Sequence, residues 1–399
     1  VGRFGHGVAV QIHSPDSIRL PAEAQRLGVY VHYPYCLKRC PYCDFTVTVR
    51  KPDDTRYRDA VLAELATRAR DFEGRPPATS VYFGGGTPGL WSPACIGAVV
   101  EGVSATLGLE AGAEITVECN PFDLRPAHVA GLRAAGVNRL SVGVQSFCDR
   151  DLAFLGRQHR RADIEAGLEA LHGAGFGEAF TLDLIHGMAE QTVAEAVADA
   201  DAALAAGAPH VSTYQLTIEP RTSFGLRSRR GQVLQSPDGT LAEMFEAVRG
   251  RLAAGGVLPY EVSNAARPGH EAVHNGLYWS FAEYLGLGAG AHGFRRVADG
   301  AERWCNERHV GRYCEGAFAG APRSTVERVA ADALAEERVL VGLRVRRGLA
   351  VDADLRSRFG SAAQRLVAQG LLNDDGARWW ATERGFALLD GVVLGLISG

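Results

Sequence analysis

The sequence predicts an α/β protein built on a parallel sheet, and three observations carry that prediction. Between residues 28 and 220, short β-rich runs alternate with longer amphipathic stretches. The connections are long enough for the crossovers that parallel strands require. Four of the helical stretches end on glycine, at Gly108, Gly136, Gly175 and Gly207, where a left-handed residue commonly closes a helix.

In chain order, the strand candidates are residues 29–32, 80–83, 114–118, 139–142, 180–185 and 210–215. Helical patterns lie between them at 55–72, 93–107, 126–135, 161–174 and 192–206. Six such strands make either an open doubly wound sheet or a barrel. In both cases chemistry belongs at the C-terminal strand ends. Residues 221–237 break the rhythm with Arg227, Arg229, Arg230, Gly231 and Pro237, and read as a loop or lid. A helix is expected over 241–254, followed by a Gly/His/aromatic-rich stretch at 260–294 without strong periodicity. Beyond Pro322, helical runs at 325–343, 351–359 and 362–369 precede a short hairpin around Asn373-Asp374-Asp375-Gly376. A last helix starts at Thr382, which gives a winged-helix-like tail. The division is thus an N-terminal extension (1–27), a core (28–220), a lid region (221–323) and a tail domain (324–399).

The 399 residues are 46% hydrophobic and 22% charged, enough to bury a sizeable core without disulfide or metal staples. A formal net charge of −4 argues against a nucleic-acid partner. The late apolar run at 387–397 contains Asp390 and is far short of the ~20 apolar residues of a spanning helix. The first 28 residues show no secretory pattern. Eight cysteines, three of them within eight positions, do not resemble an extracellular disulfide framework. A reducing cytoplasm is the expected compartment, with any membrane association peripheral and through partners.

The chemistry-bearing residues cluster at predicted strand ends. Cys36, Cys40 and Cys43 form a C-x3-C-x2-C cluster directly after the first strand. Thiolates so close together can surround one soft centre, either zinc or an iron–sulfur cluster. A structural zinc wants four ligands, and Asp44 and Phe45 are poor fourth candidates. Three ligands on a cubane leave one iron open for a chelating molecule. After the second strand comes Gly84-Gly85-Gly86-Thr87-Pro88, whose backbone can approach a ligand closely. It lacks the spacing of a dinucleotide-binding fingerprint. Polar residues then recur at later strand ends: Glu118, Gln145, Arg157 and Asp183. Carboxylates can take sugar hydroxyls, and arginine can take a carboxylate in a fork. Singly, each could equally cap a helix or pair structurally.

Together, Tyr30-Val-His-Tyr-Pro-Tyr-Cys36, Cys40-Pro-Tyr-Cys43, the Gly-Gly-Gly-Thr-Pro turn, Gly143-Val-Gln145-Ser-Phe and Asp183-Leu-Ile resemble the radical S-adenosylmethionine proteins. The branch resembled is the one holding oxygen-independent coproporphyrinogen oxidase and the HemW haem chaperones. The likeness runs from about residue 28 to the C-terminus. It implies a partial (β/α)6 barrel with a winged-helix-like tail, and a 4Fe-4S cluster on Cys36, Cys40 and Cys43. It also implies S-adenosylmethionine flanked by Tyr30 and Tyr42. Gly85, Gly86 and Thr87 would meet the methionyl end, with Glu118, Gln145, Arg157 and Asp183 completing the pocket.

Within the branch, the oxidase pattern has a further cysteine where this chain has Phe45, and a longer segment before its first strand. The motif His274-Asn275-x-x-Tyr278-Trp279 resembles one associated with haem binding in the chaperones. Imidazole ligates haem iron, and Tyr and Trp offer flat faces to a porphyrin. Spacing alone would read His274 as a packed loop histidine. His270 and His292 are alternative ligands. The resemblance therefore implies a haem chaperone serving apo-proteins, such as those of respiratory membrane complexes. The alternative is a radical enzyme acting on a porphyrin(ogen), either an oxidative decarboxylase or a methyltransferase. Two departures, Ala189 and Ala289 where relatives carry proline, suggest looser loops.

Overall fold

In a computed structural model, which describes residues 26–398, six parallel strands occupy the centre of one twelve-stranded sheet. The expected N-terminal extension lies almost wholly outside the described residues. The strands are β1 (Leu27–Tyr33), β2 (Ala78–Gly85), β3 (Leu109–Cys119), β4 (Arg139–Gln145), β5 (Phe180–His186) and β6 (His210–Gln215). Crossovers run through α1 (Asp54–Arg68), α2 (Pro93–Thr106), α3 (Pro126–Ala134), α4 (Asp149–Phe154), α5 (Arg161–Gly173) and α6 (Val193–Ala205). Helices cover the strands, so apolar residues are buried in near-continuous runs, as in Val29, Val31, Val81, Phe83, Leu140, Val142 and Leu182.

Further strands extend both sides of this parallel core, antiparallel beside β6 and first parallel, then antiparallel, beside β1. Past β6, α7 (Ser223–Arg229) and α8 (Asp238–Ala254) lead to the short β7 (Leu258–Pro259) and β8 (Asn264–Ala266). The chain then forms α9 (Val273–Trp279) and returns beside β1 as β9 (Glu283–Leu287), parallel to it. β10 (His292–Val297), β11 (Gly300–Asn306) and, after α10 (Val310–Phe318), β12 (Arg323–Ala330) complete that side. The outer strands β12 and β7 do not pair with each other, so the sheet is an open arc and the barrel is partial.

Beyond the sheet lie α11 (Ala331–Gly342), β13 (Leu349–Ala350), α12 (Ala353–Ala368), β14 (Leu372–Asp374), β15 (Arg378–Ala381), α13 (Glu383–Ala387) and α14 (Leu389–Ile397). These helices and the three-stranded sheet bury their own core of Val339, Leu355, Phe359, Trp379 and Leu396, which is the winged-helix-like tail. One expectation fails here. Residues 325–330, read as the start of a helix, are an edge strand of the large sheet. Nearly every β12 side chain is exposed, so it carries no alternation of apolar and polar residues to mark it as a strand. The runs at 351–359 and 362–369 join into the single helix α12, and the expected lid contains the helix α7.

The two loops expected to be loose are held by the amides that proline would lack. Ala189 donates its N–H to the Leu234 carbonyl (3.3 Å), and Ala289 to the Tyr57 hydroxyl (2.9 Å).

Candidate functional site

The loop after β1 is shaped by its backbone. Thr48 N donates to Pro34 O (2.7 Å) and Cys36 N to Thr48 O (3.0 Å), which closes residues 34–48 into one excursion. His32 holds the far side, its Nε2 against Thr46 O at 2.8 Å, and the Tyr30 hydroxyl braces His32 Nδ1 at 3.1 Å. The glycine turn zips onto this loop: Gly86 N donates to Tyr33 O (2.8 Å) and Thr87 N to Tyr35 O (2.9 Å). A Cβ on Gly86 would stand 2.7 Å from Tyr35 O, and one on Gly85, at φ +111°, 2.4 Å from the His32 ring. Only glycine permits that approach.

The strand ends then converge on a cavity of about 640 Å³. Cys36, Cys40 and Cys43 line it with Tyr42, Gly85, Gly86, Thr87, Glu118, Gln145, Arg157 and Asp183. All three cysteines are free and half-buried. The Thr87 hydroxyl lies 3.5 Å from Cys36 Sγ, and Arg157 Nη1 lies 3.6 Å from Cys40 Sγ and 3.4 Å from the Tyr42 hydroxyl. Burial pushes the Cys36 thiol up to about 11, against the pull of the Thr87 hydroxyl, and raises Cys43 as well. Among the described residues, no three His, Cys, Asp or Glu side chains are already drawn together as a closed metal-ligand set. The donors nonetheless suit an iron–sulfur cluster: three thiols on one loop, open to a cavity, with a guanidinium beside them to offset thiolate charge.

Across the cavity, Glu118 accepts from the Tyr82 hydroxyl (2.8 Å) and from Gly85 N (3.1 Å). Burial, with nearby Asp183 adding to it, pushes the Glu118 carboxyl up to about 7. Asp183 accepts from the Ser141 hydroxyl at 2.9 Å and is itself raised by burial. Gln145 occupies the left-handed region at φ +68°, where the β4–β5 register slips, and this turns its side chain onto the cavity wall. Arg157 donates to Gly143 O (3.0 Å) and to Asn120 Oδ1.

Two expected residues stand elsewhere. Tyr30 does not line the cavity; it sits one layer behind, stacked on Tyr82 at 6.2 Å between ring centroids. His274 is 2% exposed. Its Nδ1 meets the Ser80 hydroxyl at 2.8 Å and its Nε2 the Tyr278 hydroxyl at 2.9 Å, so neither nitrogen faces a cavity in this conformation. Its ring stacks on Tyr82 at 5.0 Å, and burial lowers its pKa to about 3. Glu114 of β3 holds α9 in place by accepting from the N–H groups of Val273 (3.0 Å) and His274 (2.9 Å). His270 is half-buried with Nδ1 on Glu178 O at 3.0 Å, His292 is exposed, and neither lines the cavity.

Sequence reasoning passed over Asn120 and Tyr82. Asn120 joins Arg157 to Thr87, and Tyr82 joins Glu118 to the aromatic layer around His274. Asn120 was visible, directly following Cys119 at a strand end. Tyr82, inside a strand, gave no local signal.

Residues 30–203 match the radical SAM superfamily, and residues 329–388 match the HemN C-terminal domain. Haem chaperone HemW of Mycobacterium tuberculosis (strain CDC 1551 / Oshkosh) is 39% identical over 390 residues, covering 95% of this chain and 96% of that protein. Haem chaperone HemW of Escherichia coli (strain K12) is 36% identical, covering 92% and 97%. The mitochondrial radical S-adenosyl methionine domain-containing protein 1 of Bos taurus is 36% identical, covering 94% and 88%. In fold, the chain is similar to coproporphyrinogen III oxidase (HemN) from Escherichia coli, with a TM-score of 0.78 over 99% of this chain and 94% of that one, at 22% identity. On its similarity to full-length relatives and its fold, the chain belongs to the HemW family of the radical S-adenosylmethionine superfamily.

Proposed function

We propose that this chain is a haem chaperone: it binds haem and passes it to apo-proteins, those of respiratory membrane complexes among them, while carrying a 4Fe-4S cluster and S-adenosylmethionine. The observation that carries the reading is the convergence of Cys36, Cys40, Cys43, Gly85, Gly86, Thr87, Glu118, Gln145, Arg157 and Asp183 on one cavity. The place of the oxidase's further cysteine is held by Phe45, 65% exposed at the mouth. The haem-chaperone names of the full-length relatives support the same reading.

In this reading Cys36, Cys40 and Cys43 hold the cluster, whose chemistry when bound is one-electron transfer to the sulfonium of S-adenosylmethionine. The chain's residues bind and orient. Gly85 and Gly86 give backbone access, Thr87 a hydroxyl, and Glu118 and Asp183 carboxylate acceptors. Arg157 fixes Asn120 and offsets charge at Cys40. No described helix is long and apolar enough to cross a membrane.

The test is an anaerobic haem titration of the cluster-reconstituted chain, followed by absorbance, beside an assay for 5′-deoxyadenosine with coproporphyrinogen III. Saturable haem binding without substrate-dependent 5′-deoxyadenosine is the expected result. Absence of saturable binding, together with porphyrinogen-dependent cleavage, would overturn it in favour of a radical enzyme.

A further inference from the structure

Helix α9 is a wall shared by two cavities. Ala272 and Asn275 face the one already described, whereas Gly276, Trp279 and Ser280 face a second cavity of about 360 Å³ on the other side. The opposite wall of this second cavity comes from the tail domain, through α11, the turn before β13, and β15.

The lining is unusual for a chain of formal net charge −4. Four arginines, Arg296, Arg338, Arg347 and Arg378, line the cavity together with a single acid, Asp354. Two aromatic rings, Trp279 and Phe281, share the space with them. Arg344 lies 5.0 Å from the centre of the Trp279 ring and adds a further cation behind it. Phe281 has φ +58°, a left-handed backbone that a bulky aromatic residue rarely adopts, and such strain gathers at ligand clamps. Gly348, at φ +74°, is forced by its packing, since a Cβ there would sit 2.1 Å from Trp379 O. It leaves the floor free of a side chain.

Arg338 is paired with Asp352 and Arg296 is held by Phe281 O, while Arg378 donates to the neutral Gly348 O. A cavity with flat apolar faces and guanidinium groups on its walls suits a flat aromatic molecule bearing carboxylates. Resting on the haem-carrier reading above, we propose that this second cavity clamps the carboxylate-bearing edge of haem. The propionates lie against Arg338 and Arg378, and the ring lies against Trp279 and Phe281. The volume is at the low end for enclosed ligands, so the cavity grips one edge and leaves the rest of the macrocycle open. That suits a carrier that must release its cargo. It also leaves the cluster cavity free for S-adenosylmethionine. Arg378 is already oriented by donating to Gly348 O at 3.3 Å, and Arg338 by its ion pair with Asp352 at 2.7 Å. The Arg338 pair is partly exposed, so losing it costs little stability.

The experiment uses the full cluster-reconstituted chain and two probes, hemin and hemin dimethyl ester, whose propionates are neutral. Wild type should bind the ester about ten-fold or more weakly than hemin, the loss expected when charge-assisted hydrogen bonds are removed. The double variant Arg338→Gln/Arg378→Gln should lose a similar factor for hemin and none for the ester. Its affinity for S-adenosylmethionine should be unchanged. Equal binding of hemin and ester by wild type, a comparison that needs no variant, would overturn the clamp and leave haem carriage standing. So would a folded double variant that binds hemin as wild type does. A wild-type chain that takes up neither probe would overturn both the clamp and the haem-carrier reading.

Discussion

Replacing His274 tests whether the histidine of the His-Asn-x-x-Tyr-Trp motif braces the fold. Its imidazole is 2% exposed and holds the Ser80 and Tyr278 hydroxyls at 2.8 and 2.9 Å. In His274→Ala the buried Ser80 hydroxyl loses its partner, a cost of about 1–3 kcal/mol. The ring's space against Tyr82 empties, which adds a cavity cost of similar size. A total of about 3–5 kcal/mol is expected, read as a lower urea midpoint for the sheet. The pH dependence separates this role from others. Burial holds the His274 pKa near 3, against about 6.5 in the unfolded chain. A depressed histidine contributes stability that is complete above the unfolded pKa. That stability is lost as pH falls toward 3, because the unfolded chain takes up a proton that the native one refuses. Between pH 7 and pH 5 the loss is about 2 kcal/mol, at ~1.4 kcal/mol per unit below 6.5. His274→Gln, which does not titrate, should lack that part of the slope. A His274→Ala variant within about 0.5 kcal/mol of wild type, the range of ordinary surface substitutions, would refute the bracing role. So would a His274→Gln variant with an unchanged pH slope. The point bears on any haem titration: loss of binding in His274→Ala counts as loss of a ligand only if the sheet stays intact.

Three further outcomes follow from the geometry. Cys36→Ala, Cys40→Ala and Cys43→Ala should each abolish bound iron and acid-labile sulfide after reconstitution and leave far-ultraviolet circular dichroism unchanged, since all three thiols are half-exposed and outside the core. S-adenosylmethionine affinity should weaken as pH falls through about 7, where the buried Glu118 carboxylate takes up its proton. Calorimetry on Glu118→Gln should give weaker, pH-independent binding. Ala289→Pro should lower stability by about 0.5–1.5 kcal/mol, because it removes the amide that donates to the Tyr57 hydroxyl, which keeps its own bond to His32 O, and thermal unfolding would show it.

The central sheet was legible because parallel strands buried on both faces leave compact β-branched runs, and because the helices between them end on glycine. The cluster loop, the glycine turn, Glu118 and Gln145 were legible because each sits at or just after a strand's C-terminal end, whereas Arg157 reaches the cavity from the connection after α4 and Asp183 from the middle of β5. What escaped did so for physical reasons. Helix α9 has only seven residues and is packed between β1, β2 and β9, so it shows no amphipathic period. Strand β12 is an exposed edge, so its side chains carry no buried face to alternate with. The depth of Tyr30 escaped for another reason: a strand's sequence tells which residues alternate, not which layer meets solvent. Spacing alone suggests a packed loop histidine at His274 and the motif a haem ligand; the structure buries it, but on helix α9 rather than in a loop.

A consequence for function lies in how α9 is mounted. One end is held by Glu114, whose carboxylate also lies 3.6 Å from Arg139, itself on the cavity wall. The same end is held by the His274 ring against Tyr82, and Tyr82 holds Glu118, the carboxylate proposed for S-adenosylmethionine. Its far end carries Trp279 into the arginine-lined cavity. The chain of contact from Glu118 to Trp279 therefore passes through one hydrogen bond, one ring stack and one short helix. A ligand that binds Glu118 competes for the carboxylate with the Tyr82 hydroxyl, and any shift of Tyr82 acts directly on the stacked His274 ring. Coupling of this kind is reciprocal: if S-adenosylmethionine changes haem affinity by some factor, haem changes S-adenosylmethionine affinity by the same factor. Tyr82→Phe cuts the hydrogen bond but keeps the ring stack. It should reduce that factor toward one while both ligands still bind. An unchanged factor in Tyr82→Phe would mean that the two cavities communicate by another route or not at all.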